Sequence, residues 1–306
     1  MPATAPAATR HRRFSAARVL AIAGGTFTQL VRMKVFAFMA IFAVVVIGSS
    51  FVFADLKTEQ ELKMLKDVSL AAMSLFAMIF AIAGTALLIP KDVEDRTLYT
   101  ILCKPVPRIE YLIGKLGGVV ILIFISLLCM DVLFCGVLHL KEKAVIASQV
   151  ENLEYHRGSL EEKEKAKAEI VRVSEKLGLT WNLQNGVVAI LLKSTVLAAV
   201  ALLMSTAASS TMFTIMSSLA IMIIGHMQSI AREYFLSEVS SGVLPRFISG
   251  LVALLVPDLK SFDVVDAVVA GDAVSFGVMG QMTGLTAVYL TLYLLAAWVL
   301  FSDKEL

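Results

Sequence analysis

Two ionisable side chains stand inside otherwise apolar stretches of the sequence. Asp131 interrupts the run 116–138, and Lys193 interrupts the run 183–204. A charge inside an apolar, membrane-length stretch is costly, and such charges often belong to a transport path or a proton relay. From the rise of a helix we expect the two groups roughly 10 Å and 15 Å from the outer ends of their helices, where they could pair. A neutralising pair, a lysine that extends to the surface and a role in transport all stay open.

The other residues that could bind a metal or act as a nucleophile are not spaced as a site. Cys129 and Cys135 are six positions apart and fall on different faces of a helix, so a metal pair is not expected. His226 is interpreted as a histidine at a polar boundary, and the methionines between 212 and 227 as packing residues rather than soft-metal ligands. We therefore expect no catalytic residue, no metal and no cofactor in this chain.

The stretch 91–108 is the most informative part of the sequence. It begins with the acids Asp92, Glu94 and Asp95, which favour the amino end of a helix, and it ends with Pro105 and Pro107, which break one. A simple connection between two membrane crossings would need only a few residues. The length and composition of this stretch therefore predict a packed cytoplasmic element, on which another protein docks or which packs beneath the helix bundle.

The pattern within and just after this stretch resembles the cytoplasmic coupling segment of type-2 ATP-binding-cassette (ABC) exporter permeases. The positions that carry the resemblance are Glu94, Thr97, Leu98, Leu102, Pro105, Val106, Arg108, Tyr111, Gly114 and Lys115. Arg96 departs from the pattern, because the family usually has glycine there. The similarity extends over nearly the whole chain and is greatest to the branch of gliding-motility and nitrous-oxide-reductase maturation permeases.

The resemblance implies a transport subunit rather than an enzyme. The chain has no Gly-x-x-x-x-Gly-Lys-Ser/Thr phosphate loop, so ATP and Mg²⁺ are expected on a separate ABC ATPase subunit. The family further implies a second permease copy, as a homodimer or a related chain. Its pattern assigns ATPase coupling to Glu94, Thr97, Leu98, Leu102, Pro105, Arg108 and Lys115. The alternative is a force-transmitting or anchoring subunit that works on an extracytoplasmic protein without moving a substrate.

The elements that must position these residues are predicted to be membrane helices. The chain has 306 residues, of which 58% are apolar and 17% charged, and its mean hydropathy is +0.81, which is typical of a chain dissolved in a bilayer. A crossing needs about 20 mostly apolar residues. Six stretches meet this requirement and predict an all-α integral membrane fold: 35–54, 68–90, 116–138, 183–204, the part of 205–231 after a Ser/Thr-rich turn at 205–211, and 274–301.

The remaining segments are predicted to lie outside the hydrocarbon. Residues 1–13 are expected to be a disordered cytoplasmic tail, and residues 14–33 an amphipathic helix on the membrane surface. Residues 139–182 carry apolar residues at helical spacing in two halves, which predicts an extracytoplasmic helical hairpin that turns at Gly158. The outer segment 230–280 is expected to hold a short interfacial or re-entrant helix at 247–256.

The charges around the first crossing predict its orientation. Six basic residues and no acid precede it, whereas the residues after it mix both signs, so the amino terminus is placed in the cytoplasm. Six crossings return the carboxyl terminus to the same side, although the basic residues of 139–182 count against this orientation. We expect a multi-pass protein of the bacterial inner membrane, in contact with lipid and, through 139–182, with an extracytoplasmic protein. A net charge of +2 gives no reason to expect nucleic acid.

Overall fold

The computed structural model describes residues 14–32, 35–52, 58–94, 106–155, 160–178, 180–208, 210–236 and 256–303. Throughout these ranges the regular structure is helical, and they contain no strand. The predicted all-α fold is therefore confirmed for the described part of the chain. Ten α-helices are described: α1 Ala16–Val31, α2 Val35–Val52, α3 Thr58–Ile79, α4 Leu88–Glu94, α5 Arg108–Tyr155, α6 Leu160–Leu177, α7 Asn182–Ala207, α8 Thr211–Leu236, α9 Val265–Ala270 and α10 Phe276–Asp303.

Five helical stretches are long and apolar enough to cross a membrane, which supports the assignment as a membrane protein. They are Gln60–Pro90, Arg108–Val150, Asn182–Ala207, Thr211–Gln228 and Phe276–Ser302. The first predicted crossing corresponds to α2, whose apolar part Ala37–Ser49 is shorter than a full crossing needs. Five candidate crossings, rather than the predicted six, are thus present in the described ranges.

The candidate crossing Gln60–Pro90 ends at the predicted residue, Pro90, but begins eight residues before the predicted start. Helix α3 passes into a π-helical turn, Phe80–Gly84. The helix is then interrupted by a turn at Leu87, and α4 begins at Leu88. Pro90 is therefore the third residue of α4, within the first turn, where a missing backbone N–H breaks no helical hydrogen bond. The interruption at Leu87 therefore lies within the candidate crossing, three residues before its end.

Helix α5 is a single helix of 48 residues, about 72 Å long at the usual rise. The prediction of a separate hairpin beginning at residue 139 placed a boundary where none exists, because no proline or glycine interrupts the helix between Leu138 and Tyr155. Helix α6 packs against the far part of α5, and Gly178 lies directly against the carboxylate of Glu142. The predicted turn at Gly158 and Ser159 lies outside the described residues.

Helix α7 is the centre of the bundle. Its residues from Lys193 to Leu202 are all buried, and it packs against α3, α5, α8 and α10. Helices α8 and α10 instead expose large apolar side chains, including Met216, Ile223 and Trp298. Exposed apolar surface of this extent suits contact with lipid better than contact with water.

The segment from Val256 to Val274 lies against the bundle. The Asn182 side chain donates to the carbonyl of Asp272 (2.5 Å) and accepts from the backbone N–H of Val274 (3.0 Å). A short 3-10 helix, Lys260–Phe262, precedes α9. Most of the predicted helix at 247–256 lies outside the described residues.

Candidate functional site

Five polar or charged residues meet where α4 ends and α5 begins, and we call them the junction cluster: Asp92, Arg108, Glu110, Tyr111 and Lys115. Asp92 belongs to α4, and the other four lie in the first turns of α5. The stretch 95–105, which connects these two helices, lies outside the described residues. The junction cluster therefore holds both ends of the predicted coupling segment.

The centre of the junction cluster is a buried ion pair. Asp92 Oδ2 lies 2.6 Å from Lys115 Nζ, and the same oxygen accepts a hydrogen bond of 2.5 Å from the Tyr111 hydroxyl. The Lys115 ammonium also lies 5.6 Å from the centre of the Tyr111 ring, within range of a cation–π interaction. All three residues are buried. A buried charge needs such partners, since an isolated one would cost several kcal/mol.

Arg108 joins the junction cluster to the end of α10. Its Nη1 donates to the carbonyl oxygens of Phe301 (2.5 Å) and Ser302 (2.7 Å) in the last turn of α10, where backbone carbonyls of a helix need partners from outside it. The guanidinium also lies 5.6 Å from the centre of the Phe301 ring, and that ring stacks on Tyr111 with centroids 5.8 Å apart. A cation at the carboxyl end of a helix is also favoured by the helix dipole.

Glu110 joins the junction cluster to the start of α1. Its fully buried carboxylate accepts from the backbone N–H of Ser15 (2.9 Å) and from Arg18 Nε (2.6 Å) and Nη2 (2.8 Å). The two contacts with Arg18 form the forked pairing that makes guanidinium–carboxylate bonds strong. This hydrogen bonding to Glu110 raises the pKa of Arg18 above its ordinary value.

Two glycines of α5 allow α1 to approach closely. A Cβ at Gly114 would lie 2.8 Å from Ile22 Cβ, and a Cβ at Gly118 would lie 2.6 Å from Thr26 Cβ and 2.7 Å from the carbonyl oxygen of Ala23. Small residues four apart on a helix are a known signal for close helix packing. The spacing of the two glycines indicates such packing. Residues 14–33 are predicted as a surface helix, and in the structure α1 packs against α5.

The junction cluster connects four helices through charged hydrogen bonds. Its acids are all held by cations or donors, and the described residues contain no group of three His, Cys, Asp or Glu side chains that could hold a metal ion. What the arrangement does is to fasten the first turns of α5 to α1, α4 and α10 through charged hydrogen bonds. Such bonds are directional, so the four segments are fixed in one geometry.

The structure places the predicted coupling residues unevenly. Arg108 and Lys115 both belong to the junction cluster, although each has a different partner. Glu94 is the last described residue of α4. Thr97, Leu98, Leu102 and Pro105 lie outside the described residues.

The suggested pair of Asp131 and Lys193 is wrong. Asp131 Oδ2 accepts from Gln184 Nε2 at 3.0 Å, and its Oδ1 accepts a weak bond from the Cys135 thiol at 3.6 Å. The opposite charge that acts on Lys193 is that of Asp263. Because Asp131 is level with Gln184, Lys193 lies nine residues further along α7, roughly 13 Å away along the axis. The estimate from the helix ends failed because α5 continues past the predicted end of the third crossing.

A second group of charges, which the sequence placed in an outer loop, lies within the helices. Lys141 Nζ forms an ion pair of 2.8 Å with Glu61 Oε1, joining α5 to α3. Further along α3, Lys66 is fully buried, and its ammonium has no hydrogen-bond partner among the described residues. Glu142 is the acid that acts on it. The sequence did not reveal these contacts, because α3 begins ten residues before the predicted crossing and α5 continues beyond the predicted end of the third crossing.

The residues set aside in the sequence analysis show no constellation. His226 Nδ1 lies 2.9 Å from the carbonyl oxygen of Met222 in its own helix, and Cys129 is exposed on α5. Compared with known proteins, the sequence matches no family model and no curated protein. Function therefore has to follow from the geometry of the junction cluster and from the sequence pattern around it.

Proposed function

We propose that this chain is the permease subunit of an ABC transporter, an exporter, driven by a separate ATPase subunit that binds ATP and Mg²⁺. One observation carries the proposal. Both ends of the stretch that resembles the coupling segment are held in the junction cluster, through Asp92 on one side and Arg108 on the other. A partner that pushes on residues 95–105 therefore pushes on a fixed point of the bundle.

The contacts of the junction cluster explain how such a push is distributed. Glu110 carries it to α1 through Arg18, and Arg108 carries it to α10 through the carbonyls of Phe301 and Ser302. Lys115 holds α4 to α5 through Asp92. Three helix ends and the base of α5 then move together, which is what a transport cycle needs in order to tilt the helices that surround a path.

The finer topology belongs to the same proposal. Helix α2 is the sixth crossing, and both termini lie in the cytoplasm of a bacterium, with the crossings in the inner membrane. The start of α1 and the end of α10 meet at one junction, as an even number of crossings between them requires. The functional unit contains a second permease copy and two ATPase subunits, as the resemblance implies.

The proposal is tested by purification in mild detergent. The affinity-tagged chain, expressed with its neighbouring reading frames, should recover a protein that carries a phosphate loop and hydrolyses ATP. Leu98→Asp with Leu102→Asp should abolish its recovery, because a charge on an apolar docking surface opposes binding. Lys143→Asp, at an exposed position on the far part of α5, is the control and should leave recovery unchanged. Recovery of no such protein, or equal recovery with all variants, would contradict the proposal.

The orientation is tested separately through Cys103. In a chain with Cys129→Ala and Cys135→Ala, Cys103 is the single cysteine. A membrane-impermeant maleimide should label it in inside-out vesicles and not in intact spheroplasts. Labelling from the outside would place the coupling segment on the wrong side for an ATPase.

A second candidate is a force-transmitting or anchoring subunit that acts on an extracytoplasmic protein without conducting a substrate. The observation that favours it is the 48-residue helix α5, which is far longer than a crossing requires, with α6 packed on its far part. Replacing residues 147–174 by a Gly-Ser linker keeps both Lys141 and Asn182, with their contacts to Glu61 and Asp272. Loss of an outer partner with retained substrate flux would argue against this as the main role, and loss of all function with intact ATPase binding would support it.

A further inference from the structure

The segment 256–272 descends along α7 towards the middle of the bundle. Asp272 bonds Asn182 at the start of α7, and Val268 packs against Gly186 one turn further along. Asp263 then acts on Lys193. The partners on α7 thus advance from 182 to 193 as the segment runs backwards from 272 to 263, a descent of roughly 16 Å along the helix axis.

Two further contacts place the deepest part of the segment at the same level. The backbone N–H of Asp258 donates to the Tyr289 hydroxyl (3.2 Å), and Tyr289 lies about 20 Å along α10 from its first residue. The backbone N–H of Leu259 donates to the carbonyl of Gly225 (3.2 Å), halfway along α8. The approach is so close that a Cβ on Gly225 would lie 2.7 Å from the carbonyl oxygen of Pro257.

Polar groups are concentrated at this level. The backbone from Val256 to Leu259 is not helical, and Lys260, Ser261 and Asp263 have exposed side chains. Since α7 and α10 are each long and apolar enough to cross a membrane, and Lys193 and Tyr289 lie near the middle of these two candidate crossings, these groups are expected at mid-depth. Irregular backbone and exposed charges cannot face lipid at that depth, and they occur where the protein lines a water-filled cavity.

Lys193 adds a cation at the same level of α7. It is 94% buried, since its relative exposure is 6%. It has no hydrogen bond or ion pair within 4 Å among the described residues, and Asp263 acts on it from a longer range. An ammonium has three donors and no acceptor, so water or an anionic group is a suitable partner for it.

We propose that residues 256–263 wall a water-filled vestibule at mid-depth, and that the Lys193 ammonium at its inner end binds an anionic group of a hydrophilic cargo. The vestibule itself is independent of the ATPase. Only the role of Lys193 towards cargo rests on the proposed permease function. Asp263 would set the affinity, because its negative charge competes with a bound anion for Lys193.

The vestibule is tested by cysteine accessibility in a chain whose three native cysteines are replaced by alanine. The variants are Ser261→Cys and Lys260→Cys, and the matched control is Val288→Cys, whose exposed side chain on α10 lies beside Tyr289 at the same depth. The reagents are the cationic trimethylammonium-ethyl and the anionic sulfonatoethyl methanethiosulfonates, applied to vesicles without ATPase. We expect both vestibule variants to react at least ten times faster than the control.

Two outcomes would overturn the vestibule. Equal rates at all three positions would show that the segment faces lipid or is sealed. Slow labelling, together with a disulfide between two copies of the Ser261→Cys variant under mild oxidation, would show that a second copy of the chain covers it. Because two positions are probed independently, a folding defect in one variant does not leave the question open.

The role of Lys193 is tested with the same reagents. Lys193→Met should lower the ratio of anionic to cationic labelling rates at Ser261→Cys several-fold, Lys193→Arg should keep it, and Asp263→Asn should raise it. An unchanged ratio with Lys193→Met would remove Lys193 from the vestibule. These readouts need neither ATP nor cargo, so their failure is distinct from failure to recover an ATPase.

Discussion

Asp92 on α4 and Lys115 on α5 form an ion pair of 2.6 Å, and both side chains are more than nine-tenths buried. The pair joins the helix that precedes residues 95–105 to the helix that follows them. The Tyr111 hydroxyl donates to the same carboxylate oxygen. The pair lies between two helices that are joined only through the predicted coupling segment. Its geometry therefore sets where that segment leaves and re-enters the bundle.

Breaking this pair should destabilise the protein strongly. Lys115→Met removes the cation that pairs with the buried Asp92 carboxylate, and breaking a buried pair lowers the free energy of unfolding by about 3–5 kcal/mol. The combination with Asp92→Leu should recover part of the loss, because no unpaired charge then remains. Unfolding in detergent, followed by the helical circular dichroism signal, gives the free energy of unfolding of the native chain, of Lys115→Met and of the double variant.

The control for this experiment is Lys141→Met, which breaks the pair with Glu61. Lys141 keeps 21% of its side chain exposed, so water can replace part of the interaction and the loss should be smaller. Equal losses at both pairs would contradict the special importance of burial at Asp92 and Lys115.

Gly118 should not tolerate a methyl group. Gly118→Ala would bring the new Cβ to 2.6 Å from Thr26 Cβ and 2.7 Å from the carbonyl oxygen of Ala23, so α1 must move. We expect a cost of about 1–3 kcal/mol and faster tryptic cleavage after Arg18. Gly117→Ala is the control, since its Cβ would meet Ala23 Cβ at an ordinary 3.8 Å. Identical cleavage rates in both variants would show that α1 is not held by this contact.

Arg108 should control the order of the last turn of α10. Arg108→Gln loses the guanidinium stacked on Phe301 and at least one of its bonds to the carbonyls of Phe301 and Ser302. Hydrogen exchange of the amides near residue 301 should become faster, and Arg108→Lys should lie in between, because lysine keeps the charge but not the planar fork. Arg172→Gln, exposed on α6, should change nothing there. Slow exchange in Arg108→Gln would show that packing alone holds the turn.

Lys66 should be replaceable with a gain in stability. Its ammonium is fully buried and finds no hydrogen-bond partner in the part of the chain that the structure describes, and an unsatisfied buried donor costs about 1–3 kcal/mol or more when charged. Lys66→Met keeps the length of the side chain and removes that cost, so the midpoint of thermal unfolding should rise. A lower midpoint would mean that Lys66 has a partner, such as a buried water, and that its charge supports the fold.

Gly225→Ala should displace the segment 256–263. Its Cβ would lie 2.7 Å from the carbonyl oxygen of Pro257, which is backbone and cannot rotate away. We expect a cost of about 1–3 kcal/mol and a changed labelling rate at Ser261→Cys. Gly284→Ala is the control because nothing lies within 4 Å of its Cβ. If both variants label alike, the segment does not depend on this contact.

The sequence predicted the helices well because bilayer-length apolar runs are a direct consequence of the hydrophobic effect. The break between α7 and α8, at residues 208–210, falls inside the predicted Ser/Thr-rich turn. The limits of the helices were less accurate. Charged residues at the start of α3 and in the far part of α5 were predicted to lie in loops. A charge that is solvated or paired does not end a helix, and Glu61 and Lys141, which pair within their helices, are examples.

The partners within the candidate site could not be predicted. Glu110 and Arg18 are 92 residues apart, and Arg108 and Phe301 are 193 apart, so no local pattern connects them. Asp131 and Lys193 were matched by an estimate of depth, and depth depends on where each helix begins. Arg108 and Lys115 were predicted as coupling residues, and their actual partners follow only from the packing of α4, α5 and α10.

The uninterrupted length of α5 has a simple geometric consequence. A helix about 72 Å long that tilts by about 5° around Arg108 moves its other end, Tyr155, by about 6 Å. No relay of side chains and no second conformational change is required for that displacement. A small rotation at the Arg108 end of α5 would then produce a large displacement at the Tyr155 end, because the helix is stiff.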